Sequence, residues 1–149
     1  MSSASTQRRA ARILLVEDNP ADVELTREGF GEIMLVHDLY VARDGSEAIA
    51  FLCREGKFAD APRPDLILLD LNLPGREGHD VLTEIKSDIS LRRVPVIVLS
   101  SSRSERDITR AYEAHANAYM TKPTDFDGVV KTLQAIADYW FGVVRLPSV

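Results

Sequence analysis

Five polar side chains that could together serve a metal ion and a phosphoryl group each stand at the end of a short apolar run. They are Glu17, Asp18, Asp70, Ser100 and Lys122. Three carboxylates within a few ångströms repel one another, and the pKa of at least one rises unless a cation joins them. Oxygen ligands without His or Cys suit a hard ion, and few carboxylates with open coordination positions suit Mg²⁺ better than Ca²⁺.

A metal ion beside a hydroxyl and an ammonium suits a phosphoryl group. Lys122 would neutralise its charge, Ser100 would hydrogen-bond one oxygen, and Asp70 would be the attacking nucleophile. Each residue alone also has an ordinary structural role. A strand-end Asp is most often a solvated turn residue, and a Glu-Asp pair before Asn-Pro most often belongs to a helix start. Their joint occurrence after four apolar runs favours the functional interpretation.

The runs that carry these residues indicate a parallel sheet. Residues 66–71 are apolar apart from Asp70 and lead into Pro74-Gly75, which is typical of a strand buried on both faces. Five strands alternate with five helices, so we expect a doubly wound α/β domain with the flavodoxin-like strand order 2-1-3-4-5. The first and third strands are then neighbours, and this would bring Glu17, Asp18 and Asp70 together.

Local signals also predict where three of the helices begin. Asn19 followed by Pro20 is typical of an N-cap and a first helical position. Ser46 is expected to cap the second helix. Thr124, with Asp127 three residues later, resembles a capping box for the last helix.

The composition excludes several classes of protein. A length of 149 residues fits one domain, and a net charge of −5 disfavours binding to nucleic acid or to anionic membranes. The single cysteine, Cys53, rules out an intrachain disulfide, and no apolar run approaches the roughly 20 residues that span a bilayer. We expect a cytoplasmic domain at residues 12–141, preceded by a disordered tail at 1–11 and followed by an extension at 142–149.

These motifs together resemble the receiver domain of two-component response regulators, a CheY-like domain, over about residues 11 to 140. The matching positions are the acidic pair Glu17-Asp18, the phosphoacceptor Asp70, the switch hydroxyl Ser100, the switch aromatic Tyr119 and the pair Lys122-Pro123. The alternative for Tyr119 is a core aromatic with a satisfied hydroxyl.

The resemblance implies a set of roles. Mg²⁺, for which Mn²⁺ can substitute, would be held by Asp18, Asp70 and the backbone carbonyl of Asn72, with Glu17 bound through water. The Lys122–Pro123 peptide bond would be cis. Asn72 and Ser102 would flank the path of the water that hydrolyses the acyl phosphate, and would tune its lifetime.

The resemblance also implies partners. A sensor histidine kinase would transfer its phosphoryl group to Asp70, making the protein a signalling phosphoacceptor rather than an enzyme. Slow self-dephosphorylation would follow. Ser100 and Tyr119 would then shift the face formed by the fourth helix, fifth strand and fifth helix. Whether a downstream phosphotransfer protein receives the group stays open.

A finer resemblance concerns the loop at residues 54–64, Asn19-Pro20 and the tail at 138–147. These segments look like those of single-domain regulators paired with phytochrome-type kinases. An apolar cluster in the tail predicts a homodimer interface, because exposed apolar patches usually mark interfaces. Its members are Trp140, Phe141, Val144 and Leu146. The alternative is that they fold back onto their own domain.

Two functions of other classes compete. A phosphohydrolase of the haloacid-dehalogenase type places its nucleophile after the first strand, with a second Asp two residues later. Here the candidate follows the third strand, and position 72 is Asn. A phosphorylation-independent adaptor would not need the complete set of acidic, hydroxyl and ammonium groups.

Overall fold

Strands and helices alternate along the chain, as the sequence predicts. The computed structural model describes residues 10–143. The strands are β1 (Ala11–Val16), β2 (His37–Ala42), β3 (Leu66–Leu69), β4 (Val96–Ser100) and β5 (Ala118–Thr121). The α-helices are α1 (Pro20–Gly31), α2 (Gly45–Cys53), α3 (Gly78–Ser87), α4 (Glu105–Glu113) and α5 (Phe126–Ala137). A 3-10 turn at Gly56–Phe58 follows α2, and a π-helical turn at Asp138–Val143 follows α5.

The strands form one parallel sheet in the order β2-β1-β3-β4-β5, which confirms the predicted flavodoxin-like topology. In the register of β1 and β3, Ile13 lies opposite Leu66 and Val16 lies opposite Leu69. The two strands therefore end side by side. This topology places the residues that follow them, Glu17 and Asp70, at the same edge of the sheet.

Both faces of the sheet are covered by helices. The first core cluster joins Leu14, Ile67 and Val98 of the sheet to side chains of α2 and α3, among them Leu52 and Leu82. The second core cluster joins sheet residues to α1 and α5. Its members include Ile13, Leu15, Leu66, Leu68, Phe30, Val129 and Leu133. Every residue of β3 is fully buried, and burial of each such side chain contributes roughly 1.5–3 kcal/mol. The backbone that carries Asp70 is thus held firmly on both sides.

The helix starts agree with the sequence at one position and differ at two. The Asn19 side chain caps α1 by accepting from the backbone N–H groups of Ala21 and Asp22. Asp44 caps α2 and Asp125 caps α5, each accepting a backbone N–H three residues later, so Ser46 and Thr124 were the wrong caps. A carboxylate also interacts favourably with the positive end of the helix dipole, which a neutral hydroxyl does only weakly.

The ends of the chain are described only in part, since residues 1–9 and 144–149 lie outside the described residues. The predicted tail at 1–11 extends too far, because Ala11 is the buried first residue of β1. Over 1–9 the tail stays a prediction, as does the extension at 142–149, of which only residues 142 and 143 are described, in the π turn. Two of the three aromatic residues of the π turn, Trp140 and Phe141, are half-buried against the second core cluster. Within residues 10–143, no helix has both the length and the apolar character that a membrane crossing requires.

Candidate metal and phosphoryl site

Three carboxylates meet where β1 and β3 end. Glu17, Asp18 and Asp70 each offer an oxygen, and these oxygens lie within 4.8 Å of one another. The backbone N–H of Glu17 donates to Ala42 at 2.9 Å and that of Asp70 donates to Val16 at 3.0 Å. The backbone hydrogen bonds of the sheet thus extend to both acidic residues and fix the positions of their Cα atoms. Glu17 and Asp70 are buried, whereas Asp18 is exposed.

The Lys122 ammonium lies among these acidic groups. Its Nζ atom is 2.5 Å from Oε1 of Glu17, 2.9 Å from Oδ2 of Asp70 and 3.1 Å from Oδ2 of Asp22. Lysine has three N–H donors, and each has a carboxylate partner here. The Lys122 backbone N–H donates to the Ser100 carbonyl at 2.8 Å, which anchors the residue to the end of β4.

Asp22 is a site residue that the sequence reasoning missed. It lies in the first turn of α1, which begins directly after the acidic pair. The simplest interpretation of an acid in that turn is that it stabilises the helix by interacting with the positive end of its dipole. The signal that could have identified it is its position, because a helix that starts at the edge of the sheet presents its first turn to the same edge.

Burial and charge interactions have opposite effects on the pKa values of Glu17 and Lys122. Burial raises the pKa of Glu17 to about 7, and the hydrogen bond from Lys122 counteracts part of that rise. Burial lowers the pKa of Lys122, but its hydrogen bonds and charge interactions with Glu17 and Asp70 outweigh this and raise the pKa above its ordinary value. The ammonium is therefore charged, and Glu17 is the group that releases or takes a proton near neutral pH.

The donor set fits a hard divalent cation. The clustered atoms are carboxylate oxygens, the ligand type that Mg²⁺ and Mn²⁺ prefer. The acids outnumber the single ammonium, so negative charge remains for a cation to balance. Asn72 lies beside the cluster, where its backbone N–H donates to Oδ1 of Asp70 at 3.0 Å.

The predicted switch residues form a second hydrogen-bonded unit. Ser100 is fully buried, and its Oγ accepts from the Ser102 N–H at 3.1 Å. The Tyr119 hydroxyl donates to the Ser102 carbonyl at 2.8 Å. The Ser102 hydroxyl donates to Oδ2 of Asp107 at 2.6 Å, a contact the sequence did not suggest. A polar pocket lined by Asn72, Ser100 and Ser102 extends from this unit to Asp18 of the carboxylate cluster.

A buried histidine, His79, borders the same pocket. Its side chain is 8% exposed, and its Nε2 lies 3.8 Å from Oδ1 of Asp107. Neither ring nitrogen has a hydrogen-bond partner within the described part of the chain. Burial lowers the pKa of His79, and the Arg110 charge adds to this effect. The ring therefore favours its neutral form.

The Lys122–Pro123 bond differs from the expectation. No peptide bond between described residues is cis, so the cis prediction for Pro123 was wrong. The trans form of an X–Pro bond is favoured by about 0.5–1 kcal/mol. With this backbone, Lys122 makes its three carboxylate contacts.

Only two of the four predicted dimer residues lie within the described part of the chain. Trp140 and Phe141 pack against the second core cluster of their own domain, as the alternative interpretation expects. Val144 and Leu146 lie outside the described residues. The neighbouring Tyr139 side chain is 55% exposed.

Comparisons with known proteins agree with this geometry. A family model described as the response regulator receiver domain matches residues 13–134. The response regulator Rcp1 of Synechocystis sp. is 45% identical over 136 residues, covering 91% of this chain and 92% of Rcp1.

Two solved structures are also similar. That of the phosphorylated cyanobacterial phytochrome response regulator RcpA has a TM-score of 0.89 and 46% identity, covering 94% of this chain and 100% of RcpA. The Mn²⁺-bound form of Rcp1 has a TM-score of 0.85 and 44% identity, covering 93% and 99% of the two chains.

Proposed function

This chain belongs to the response regulator receiver domain family, and we propose that Asp70 accepts a phosphoryl group from a sensor histidine kinase. The observation that carries this proposal is the placement of Asp70. Its buried carboxylate lies 2.9 Å from the Lys122 ammonium and within the carboxylate cluster. A strand-end acid with a structural role alone would not require this arrangement.

The contacts of Asp70 orient it for nucleophilic attack. The Asn72 N–H holds Oδ1, and the Lys122 ammonium holds Oδ2. In the transfer, a carboxylate oxygen of Asp70 bonds to phosphorus as the bond from phosphorus to the kinase imidazole nitrogen breaks. The carboxylate loses its charge in becoming an acyl phosphate. Lys122 is then free to pair with a phosphoryl oxygen, and such charge-assisted hydrogen bonds are strong.

Asp18, Asp70 and the backbone carbonyl of Asn72 would hold Mg²⁺, with Glu17 acting through water. The all-oxygen cluster and the Mn²⁺ in the Rcp1 structure support this assignment. When bound, the ion supplies charge neutralisation to the phosphoryl oxygens.

Asn72 and Ser102 are suited to tune the lifetime of the acyl phosphate. Both line the polar pocket that reaches the carboxylate cluster, so their side chains flank a route for water. Attack of that water on phosphorus would release inorganic phosphate and restore the Asp70 carboxylate. The protein would therefore lose its phosphoryl group slowly by itself.

The hydrogen bonds around Ser102 support a switch. Attraction of the Ser100 hydroxyl to a phosphoryl oxygen would change the contact that it makes with the Ser102 N–H. The Ser102 carbonyl in turn accepts from Tyr119, so a shift of this loop would release or re-aim the Tyr119 ring. The face formed by α4, β5 and α5 would thereby change between two states.

We also propose that the partner is a phytochrome-type kinase. The two proteins would interact in the cytoplasm. The similarity to RcpA and Rcp1 supports this, since RcpA is described as a cyanobacterial phytochrome response regulator. A homodimer through α5 and the tail is proposed as well. Trp140 and Phe141 retain exposed surface, and Tyr139 beside them is 55% exposed.

Incubation with acetyl phosphate and Mg²⁺, followed by intact mass measurement, tests the phosphoacceptor. The wild-type protein should gain one phosphoryl group, Asp70→Asn should gain none, and the exposed control Asp80→Asn should behave as wild type. Modification of Asp70→Asn at the wild-type rate would refute the assignment. Sustained turnover of phosphate esters would instead indicate the hydrolase, and absence of any adduct would indicate the adaptor.

A further inference from the structure

We propose that Asp22 is a positioning residue for Lys122. Asp22 receives the Lys122 ammonium when a divalent cation binds Asp70 directly and Glu17 through water. The inference rests on the proposed function of the site. Asp22 has no part in the motif by which the sequence identifies the site. It touches neither the phosphoryl acceptor nor a metal ligand set directly, but acts through the lysine.

The first support is the way Lys122 divides its donors. Its three carboxylate partners come from three elements: Glu17 after β1, Asp70 after β3 and Asp22 in the first turn of α1. Among residues 10–143, the cluster able to hold a metal contains Glu17, Asp18 and Asp70 but not Asp22. Asp22 is therefore the partner that Lys122 keeps when the other two are needed elsewhere.

The second support is the gradient of exposure around the ammonium. The side chains of Glu17 and Asp70 are 4% and 6% exposed, Lys122 is 22% exposed and Asp22 is 41% exposed. A cation among the buried carboxylates would compete with Lys122 for the same oxygens, and the two positive charges would repel. Because Asp22 is already in contact at 3.1 Å and faces the solvent side, the ammonium can shift toward it without losing its ion pairing.

The ordinary role of Asp22 is to interact favourably with the helix dipole of α1. Glu24 lies on the same helix beyond its first turn, is 62% exposed and pairs with Arg27 at 3.7 Å rather than with the site. Asp22→Asn and Glu24→Gln each remove one negative charge from α1, so a loss of general negative charge would appear in both variants. A helix-dipole effect of Asp22 would instead persist when Lys122 is replaced.

The test is titration of the metal-free protein with Mn²⁺, followed by electron paramagnetic resonance, with Mg²⁺ as competitor. We expect Asp22→Asn to weaken binding by about threefold to tenfold, since one partly exposed ion pair is lost. Asp22→Glu should restore affinity to within about twofold of wild type, and Glu24→Gln should stay within the same range. Equal affinities for Asp22→Asn and wild type would overturn the proposal.

A double-mutant cycle separates action through Lys122 from direct attraction of the ion. In a Lys122→Met background, Asp22→Asn should change affinity no more than Glu24→Gln does, because the ammonium that Asp22 receives is gone. Lys122→Gln, which keeps a polar side chain, provides the same cycle if the methionine variant does not fold. An undiminished effect of Asp22→Asn in these backgrounds would assign it to direct attraction and overturn the proposal.

The outcome for Asp22 is distinguishable from that for Asp70. If wild-type protein gains no phosphoryl group from acetyl phosphate, the phosphoacceptor role fails, while the metal titrations still decide the role of Asp22. If phosphorylation proceeds on Asp70 and the affinity of Asp22→Asn matches that of Glu24→Gln, only the positioning role fails.

Discussion

A single ammonium stabilises two buried acids at the end of the sheet. Removing one partner of a buried ion pair costs about 3–5 kcal/mol, because it leaves an uncompensated charge in an apolar environment. Lys122 is 22% exposed, so the cost at this site should lie near the lower end of that range. The pairing of Lys122 with Glu17 and Asp70 is therefore structural as well as functional.

We predict that Lys122→Met lowers the free energy of unfolding at pH 8 by about 3 kcal/mol. Burial already places the pKa of Glu17 at about 7, above its ordinary value of 4.5, and loss of the lysine removes a group that lowers it. The folded state thus binds a proton that the unfolded state does not. That contribution to stability is complete below pH 4.5 and disappears as the pH rises through about 7.

The defect of Lys122→Met should accordingly be smaller at pH 6 than at pH 8, and Mg²⁺ should reduce it at pH 8. Urea denaturation at both values, with and without Mg²⁺, measures these differences. The exposed control Lys131→Met should show none of them. A defect that is equal at both pH values and insensitive to Mg²⁺ would contradict the prediction.

At this scale the sequence predicted the core of the site but not its surroundings. Glu17, Asp18, Asp70 and Lys122 meet because they follow strands that the apolar runs identify and that the flavodoxin-like order places side by side. The contacts of Asp22 and Asp107 depend on which way a helical first turn faces, and no periodicity in the sequence encodes that. The isomer of the Lys122–Pro123 bond depends on tertiary context, which the residue types alone do not specify.

Helix α3 and the end of β3 are in direct backbone contact. The N–H of Gly78, the first residue of α3, donates to the Leu71 carbonyl at 3.0 Å. A Cβ atom at position 78 would lie 2.5 Å from the Leu71 Cα and 2.6 Å from the Asp70 carbonyl oxygen. Glycine is required because backbone atoms, unlike a flexible side chain, cannot move aside cheaply.

We predict that Gly78→Ala lowers the free energy of unfolding by about 1–3 kcal/mol, since α3 or the end of β3 must shift. Acetyl phosphate should also modify Asp70 more slowly, because the carboxylate moves with its backbone. Gly31→Ala is the matched control, since nothing lies within 4 Å of its added Cβ. That substitution should be neutral or stabilising by up to about 1 kcal/mol. Equal stability and equal phosphorylation rates of the two variants would refute the prediction.

Element types were more predictable than element ends. Continuous apolar runs identified the central strands because helices on both faces of a parallel sheet exclude water from β3 and β4. The caps were harder, because Asp44 and Ser46 compete at α2, as do Thr124 and Asp125 at α5. The sequence does not reveal which residue adopts the extended backbone of an N-cap. The last α-helix ends at Ala137, and a π turn begins at Asp138.

At the scale of the whole molecule, the end of the chain has two separable contributions. Trp140 and Phe141 contact the second core cluster and so stabilise their own domain. The predicted interface also includes Val144 and Leu146, which lie beyond the described residues. A single truncation would mix the two effects, because loss of a dimer and loss of core packing both lower apparent stability.

Two truncations distinguish them. Ending the chain after Gly142 keeps Trp140 and Phe141, so we predict a monomer as stable as the monomer of the full chain and a weaker dimer. Ending it after Asp138 also removes both aromatic residues, and the free energy of unfolding should fall by about 2 kcal/mol, because each is only half-buried. Analytical ultracentrifugation over a concentration series measures association, and urea denaturation of monomer measures stability. A dimer that survives both truncations unchanged would refute the proposed interface. Unchanged stability of the chain that ends after Asp138 would refute the packing role of Trp140 and Phe141.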